Sequence, residues 1–463
     1  MPLVPRPALA QGPIAATARI AKTDLNLSAQ ASCLSRVRRQ FAAALALAAA
    51  WTGFSLWAAW PWIGELAAVL GSVPAWLLIC GVALVPGGMN AFQVASLLLV
   101  RKALPASEPG RYPPLTVLIA AYNEVGSIGH TLRSIAEQRY PADLDIVVVD
   151  DGSTDATGAA VRNFGLAVRL LTLPRNEGKS AALNRGLAAA RHELIVTLDA
   201  DSWLHADALR LLVREYLQGP DSMRAVAGAV FVSNAQASWA ARLQYWDYLH
   251  GIAAAKRVQS IYGGTMVAQG AFSLYEREAL REVGGWSECV GEDIVVTWAL
   301  LRRGWAVGYA ENALCFTRVP DTLARLSQQR KRWARGLIEA LRHHPGVLLQ
   351  RRLATFLISW SLMFPWIDLS FTFGFIPGVV LALFGVYWLV GPATLALIPT
   401  ALLLGCVMYR CSARVFAAHG LRMRRDRVAW LCYTLGYGFI MHPASVRGYA
   451  AELLGKRKSW GTK

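Results

Sequence analysis

Three kinds of hydrophobic pattern follow one another along the chain. From Phe41 to Trp60 nearly every position is apolar, and a second apolar run extends from about Trp76 to Val100. Each is long enough to cross a bilayer as a helix, and Pro86 with Gly87 and Gly88 predicts a kink inside the second. Between residues 113 and 320 the pattern changes to short apolar runs separated by stretches of helical period. Strands are expected over Leu115–Ala120, Asp145–Val149, Val168–Leu173, Leu194–Leu198 and Ala225–Val232, and helices from near Val125, Asp155, Lys179 and Asp207. That alternation predicts a layered α/β domain with a mainly parallel sheet. Apolar character returns from Leu353 to Tyr409 without a single Lys or Arg. Two spans fit there comfortably, and three fit only if tightly packed. A last apolar piece, Val428 to Met441, is short for a span and reads as re-entrant or interfacial.

These patterns divide the chain into six parts. Residues 1–40, rich in Ala, Pro and Ser, are expected to form a disordered cytosolic tail. Residues 41–102 hold two spans, 113–320 an α/β domain, and 321–350 an amphipathic interface helix. Residues 351–447 hold the remaining spans and the re-entrant piece, and 448–463 form a basic tail.

Composition supports the membrane reading. Of 463 residues, 55% are hydrophobic and 17% charged, against about 25% charged in soluble domains. The formal charge of +17 alone admits nucleic acid, anionic lipid or a phosphorylated substrate. The basic residues flank apolar runs, however, as at Arg36, Arg38, Arg39, Arg101, Lys102, Arg351, Arg352 and the cluster Arg422 to Arg427. That placement argues for a lipid bilayer as partner and against nucleic acid. The link Pro61 to Ala75 has no Lys or Arg, which puts it outside and the α/β domain on the cytosolic face of an inner membrane crossed several times. Seven scattered cysteines without a C-x-x-C pair indicate neither a zinc site nor a disulfide framework.

Acidic residues recur where the expected strands end. The first strand runs into Tyr122-Asn123-Glu124 and the second into Asp150-Asp151-Gly152-Ser153. Ligands of open α/β sheets bind beyond such strand ends, although Asp-Gly-Ser is also an ordinary turn. Asn176-Glu177-Gly178-Lys179-Ser180 resembles part of a P-loop, but position 173 is Leu, so the nucleotide-triphosphatase signature is absent. Lys179 at a helix start still suits a phosphate. Asp199-Ala200-Asp201 spaces two carboxylates by one residue, which suits one for a nucleotide and one for Mg²⁺ or Mn²⁺ completed by phosphates. Gly291-Glu292-Asp293 opens an amphipathic helix and offers either an N-terminal cap or a general base. Gln329, Arg332 and Trp333 offer an amide, a phosphate-binding fork and a flat apolar face.

Taken together, these residues resemble the family 2 glycosyltransferases, in particular the processive membrane polysaccharide synthases. Their D, D, D, Q-x-x-R-W pattern stands here as Asp150/Asp151, Asp199-x-Asp201, Asp293 and Gln329-x-x-Arg332-Trp333. The greatest likeness is to bacterial poly-β-1,6-N-acetylglucosamine synthases. The resemblance implies a GT-A fold inserted between transmembrane helices, a UDP-sugar donor, a growing glycan acceptor, and association with a small membrane subunit or export proteins. It implies that Tyr122, Asn123 and Glu124 lie at the substrate, that Asp150 or Asp151 contacts uracil, and that Lys179 reaches the diphosphate. Asp199 would meet the nucleotide sugar, Asp201 the metal, and Asp293 would be the catalytic base beside Glu292. Gly270 would line the acceptor terminus, while Gln329, Arg332 and Trp333 would hold the acceptor sugar and leaving diphosphate. One departure is the Gly291 that precedes the acidic pair, where several relatives carry Thr. A single-sugar transferase to a lipid phosphate is the alternative activity.

Overall fold

The computed structural model describes residues 27–99, 108–165, 167–350, 352–391, 394 and 397–456. Arg101, Lys102, Arg351 and the basic residues Arg457 and Lys458 lie outside the described residues, as does the tail up to residue 26.

At the centre stands one eight-stranded sheet, ordered β3-β2-β1-β4-β7-β6-β8-β5. Its strands are β1 (Leu115–Ala121), β2 (Leu144–Asp150), β3 (Val168–Thr172), β4 (Leu194–Leu198), β5 (Ser202–Leu204), β6 (Met223–Val232), β7 (Phe272–Glu276) and β8 (Ala306–Thr317). The five expected strands are present with ends shifted by at most two residues. β1, β2, β3 and β4 are mutually parallel, but β7 runs antiparallel to both β4 and β6, and β5 antiparallel to β8. β6 and β8 are parallel to each other and run with β1 to β4, so six of the eight strands share one direction, as expected, and β5 and β7 make the sheet mixed. β5, β7 and β8 escape the hydrophobic pattern because their pairing is long-range and their residues are short or interrupted by polar ones, as at Ser273, Glu276 and Glu311. The central strands are apolar without alternation, since helices cover both faces of the sheet; Val147, Val148 and Val149 are all fully buried.

The membrane-compatible part differs from expectation in three places. Residues 27–40 are not a loose tail, because one helix runs from Leu27 to Leu70. Nothing in Leu27–Gln40 breaks a helix, and the stretch contains neither Pro nor Gly. The link between the first two apolar helices shrinks to a turn at Gly71, whose φ of 83° favours glycine. The second span, Ser72–Leu99, carries one π-helical turn at Cys80–Leu84, just before Pro86, the kind of adjustment that accommodates a proline in a membrane helix. Two further helices after the α/β domain, Leu353–Leu383 and Ala401–Ala418, are long and apolar enough to cross a bilayer. The last apolar piece forms two helices, Arg427–Gly436 and Gly438–Leu453.

The helix Gly438–Leu453 lies along the interface helix Leu323–His343 rather than standing apart. A Cβ at Gly448 would strike the Lys331 carbonyl and Ala334, so the backbones touch. Buried Arg335 donates to Glu452 at 3.0 Å. On its other side, His442 and the Tyr449 hydroxyl meet Asp368 of the apolar helix Leu353–Leu383 at 2.5 Å and 2.7 Å. A carboxylate inside a span is retained where such partners satisfy it. The interface helix is thus clamped between the α/β domain and the helical bundle.

Candidate active site

The carboxyl ends of β1, β2 and β4 lie side by side because the three strands are parallel neighbours. β7 returns antiparallel with Phe272 opposite Leu198, which brings Gly270 and Ala271 next to Asp199; Asp199 N donates to the Ala271 carbonyl at 3.2 Å. The helix Glu292–Arg302 and the interface helix close the space above. A cavity of about 700 Å³ results, lined among others by Asn123, Glu124, Lys179, Asp199, Asp201, Gly270, Glu292, Asp293, Gln329, Arg332 and Trp333. Eleven of the fourteen residues singled out from sequence therefore face one space. Tyr122, Asp150 and Asp151 do not line it.

The two β2 carboxylates act on backbone. Asp150 Oδ1 accepts from Ser153 N at 3.0 Å. Asp151 accepts from Glu177 N at 2.8 Å and Gly178 N at 2.9 Å, so it holds the loop that delivers Lys179. Burial raises the Asp151 carboxyl, and the two N–H donors oppose that rise. Asn123 adopts φ 56°, a conformation asparagine tolerates. Its Oδ1 accepts from Thr154 N at 2.8 Å, which knits the ends of β1 and β2 together.

Lys179 is the electrostatic centre. It starts a helix, Lys179–Ala189, behind Gly178 at φ 94°. Its Nζ lies 2.6 Å from Asp199 Oδ1 and 3.4 Å from Glu292 Oε1. Burial works against the ammonium, but Asp199, Glu292 and Asp293 outweigh it and raise its pKa. Gly270 leaves the room this lysine needs, since a Cβ there would stand 2.8 Å from Nζ. Burial pushes Glu292 up to about 7; Lys179 opposes that, Asp293 adds to it, and Arg332 opposes it again.

Asp293 is fixed at both oxygens. Oδ1 accepts from Ile294 N at 2.8 Å and Oδ2 from Gly270 N at 3.3 Å. The preceding turn sits against the interface helix through two facing glycines. A Cβ on Gly291 would come 2.5 Å from the Gly336 Cα, and Gly291 N donates to buried Glu339 at 2.8 Å. This contact accounts for glycine at 291 in this chain, because a threonine side chain has no room there.

Asp201 accepts long contacts from Ser202 Oγ and Thr317 Oγ1, both 3.4 Å. Among the described residues no group of three or more His, Cys, Asp or Glu could cage a metal. Hard carboxylate oxygen at Asp201, with Asp199 two residues away, still fits Mg²⁺ or Mn²⁺, which take one or two protein carboxylates and complete their shell with phosphates.

Across the cavity, the Gln329 amide oxygen is buried without a hydrogen-bond partner among the described residues. Trp333 presents a partly exposed ring. Sequence reasoning missed Lys256. It lines the cavity, is almost wholly buried, and donates from Nζ to the Val267 carbonyl. Burial pushes its pKa down to about 7, against the pull of Asp293. A detectable signal existed: Leu249, Ile252, Ala253 and Lys256 share one helical face, so the lysine falls on an apolar stripe.

Residues 116–284 match the model of glycosyl transferase family 2, and the chain carries a domain of that family. The chain is 32% identical over 258 residues to the poly-beta-1,6-N-acetyl-D-glucosamine synthase of Staphylococcus epidermidis, covering 55% of this chain and 62% of that protein. It is 33% identical over 230 residues to the enzyme of the same name from Staphylococcus aureus, covering 49% and 55%. The chain thus matches somewhat under two thirds of each relative's length. Among solved structures, a mannosyltransferase of Pyrobaculum calidifontis in complex with GDP-Man and Mn²⁺ aligns with a TM-score of 0.56 at 20% identity, over 86% of this chain and all of that one. This likeness bears on the fold, the mixed α/β sheet of the GT-A class, here flanked by helices apolar enough to span a membrane.

Proposed function

We propose that the chain is an inverting membrane glycosyltransferase that moves N-acetylglucosamine from a UDP-sugar to the end of a growing β-linked polysaccharide. The observation that carries this reading is the convergence of Lys179, Asp199, Asp201, Asp293 and Gln329-x-x-Arg332-Trp333, from distant segments, on one cavity. The N-acetylglucosamine and the β linkage rest on the staphylococcal relatives.

In the proposed reaction Asp293 accepts the proton of an acceptor hydroxyl. The hydroxyl oxygen bonds to the anomeric carbon from the face opposite the diphosphate, the bond from that carbon to the phosphate oxygen breaks, and UDP leaves with its electron pair. Gly270 N and Ile294 N hold the Asp293 carboxylate in place. Lys179 and Arg332 would stabilise the charge that develops on the diphosphate. Mg²⁺ or Mn²⁺, bound by Asp201, would neutralise diphosphate charge. Gln329 and Trp333 suit the acceptor sugar, one by its amide oxygen and the other by its ring face.

Asp293→Asn is expected to keep UDP binding and lose about 10²–10⁴ of turnover, the usual range for a general base. Sugar transfer by the purified variant at the wild-type rate would refute the role. Basic flanks support a cytosolic position of the domain at the inner membrane, and its position directly on the helical bundle favours export coupled to synthesis, assisted by a small membrane subunit or export proteins. In sealed inside-out vesicles the polymer should accumulate in the lumen; polymer found only outside would end the export reading. Lipid-linked monosaccharide as the sole product would favour the single-transfer alternative.

A further inference from the structure

One buried charge pair lies just behind the cavity and is used by none of the steps above. Arg330 is 3% exposed, and its Nη2 stands 2.7 Å from Asp247 Oδ2. The Arg330 guanidinium lies over the Trp333 ring at 3.9 Å from the centroid. Neither its Nε nor its Nη2 makes a hydrogen bond of good geometry among the described residues, so what orients the guanidinium is the charge of Asp247 and the indole face. Asp247 is itself held by the helix Gly438–Leu453 through its preceding residue, because the Tyr437 hydroxyl donates to Asp247 Oδ2 at 3.3 Å. Just beyond Asp247, Tyr248, Ile252 and Lys256 line the cavity. Burying two charges costs several kcal/mol before their attraction is counted. Stability alone would be served as well by apolar residues at both positions.

We propose that Arg330 is a positioning residue for Trp333: clamped by Asp247 and Tyr437, it fixes the indole as a rigid platform for the acceptor sugar. The inference deepens the reading in which Trp333 holds the acceptor. Arg330 and Trp333 are three residues apart on one helix, and neighbours at that spacing share a face. The plane of a guanidinium matches the plane of an indole, whereas an ammonium cannot stack. The pair therefore restricts Trp333 from the side away from substrate, and the C-terminal helices take part through Tyr437.

Arg330→Lys keeps the charge next to Asp247 and removes the plane. The full-length chain in nanodiscs is assayed for UDP release with UDP-N-acetylglucosamine and a β-1,6-linked N-acetylglucosamine pentamer, in wild-type and Trp333→Ala backgrounds. In the wild-type background, acceptor KM should rise about three- to fivefold, since a lysine ammonium retains part of the cation–π attraction, with donor KM and kcat within about twofold. In the Trp333→Ala background the same change should move acceptor KM by less than about twofold, as coupled residues do in a double-mutant cycle. Equal rises in both backgrounds, or a parallel rise in donor KM, would show a merely structural pair and overturn the proposal. If Trp333→Ala alone leaves acceptor KM unchanged, the acceptor assignment itself fails, which is a distinct result. Should Arg330→Lys lose its thermal transition, Tyr437→Phe, which removes one hydroxyl, supplies the same comparison; an unchanged acceptor KM there counts against the proposal.

Discussion

The facing glycines at 291 and 336 allow a demanding test of how the acidic turn is held. A methyl group on Gly291 would lie 2.5 Å from the Gly336 Cα and 2.9 Å from Ile294 Cγ2, whereas ordinary contact begins at 3.4 Å. The nearest obstacle is backbone and cannot rotate away. The turn and the interface helix must part by roughly 1 Å to restore contact distance. That movement would lengthen the Gly291 N to Glu339 hydrogen bond, now 2.8 Å, and would displace Asp293, two residues on. Overpacking of this kind costs about 1–3 kcal/mol of stability, and a misplacement near 1 Å costs up to about 10²-fold in rate. Gly291→Ala should therefore lower both the thermal transition and UDP release at saturating substrates. Gly336→Ala, whose Cβ would stand 2.8 Å from the Gly291 Cα, should do the same to a smaller degree. Gly129→Ala, with nothing within 4 Å of the added carbon, is the control. Wild-type stability and turnover in Gly291→Ala, or a larger defect in Gly336→Ala than in Gly291→Ala, would refute the reasoning.

Two further outcomes follow from the electrostatics of the cavity. Glu292 is raised from 4.5 to about 7 in the folded chain, so the folded state binds its proton more tightly than the unfolded state. Its stabilising contribution is complete below about pH 4.5 and is lost as pH rises through about 7. The melting temperature of Glu292→Gln should accordingly fall less than that of the wild type over that interval, and parallel curves would contradict the assignment. Lys179→Met leaves buried Glu292 and half-buried Asp199 without their shared cation. Removing one partner of a buried pair costs about 3–5 kcal/mol, less where a partner is exposed. Calorimetry should also show UDP affinity reduced by about tenfold or more through loss of one charge-assisted contact; unchanged affinity would remove Lys179 from the diphosphate.

Apolar length alone marked the candidate spans, because hydrocarbon demands some 20 apolar residues whatever the rest of the protein does. Apolar runs likewise determined β1, β2, β4 and β6, since strands buried on both faces need no partner to be recognised, while the half-buried edge strand β3 showed through its short apolar run alone. The motifs from Asn123 to Trp333 were legible as candidate chemistry because acids at strand ends are rarely accidental in number. Tertiary structure decided the rest. The sheet is mixed because β5 and β7 run against the other strands, a direction set by pairing over long separations, which no local pattern records. Asp150 and Asp151 read as ligands by position, yet their oxygens hold backbone N–H groups, and only the fold determines which donor reaches a carboxylate first. Lys256, Glu339 and the Asp247–Arg330 pair gain their meaning from burial, which is a property of neighbours. The same holds for Gly291: in sequence it is a departure from a motif, and in space it is the point where two backbones touch.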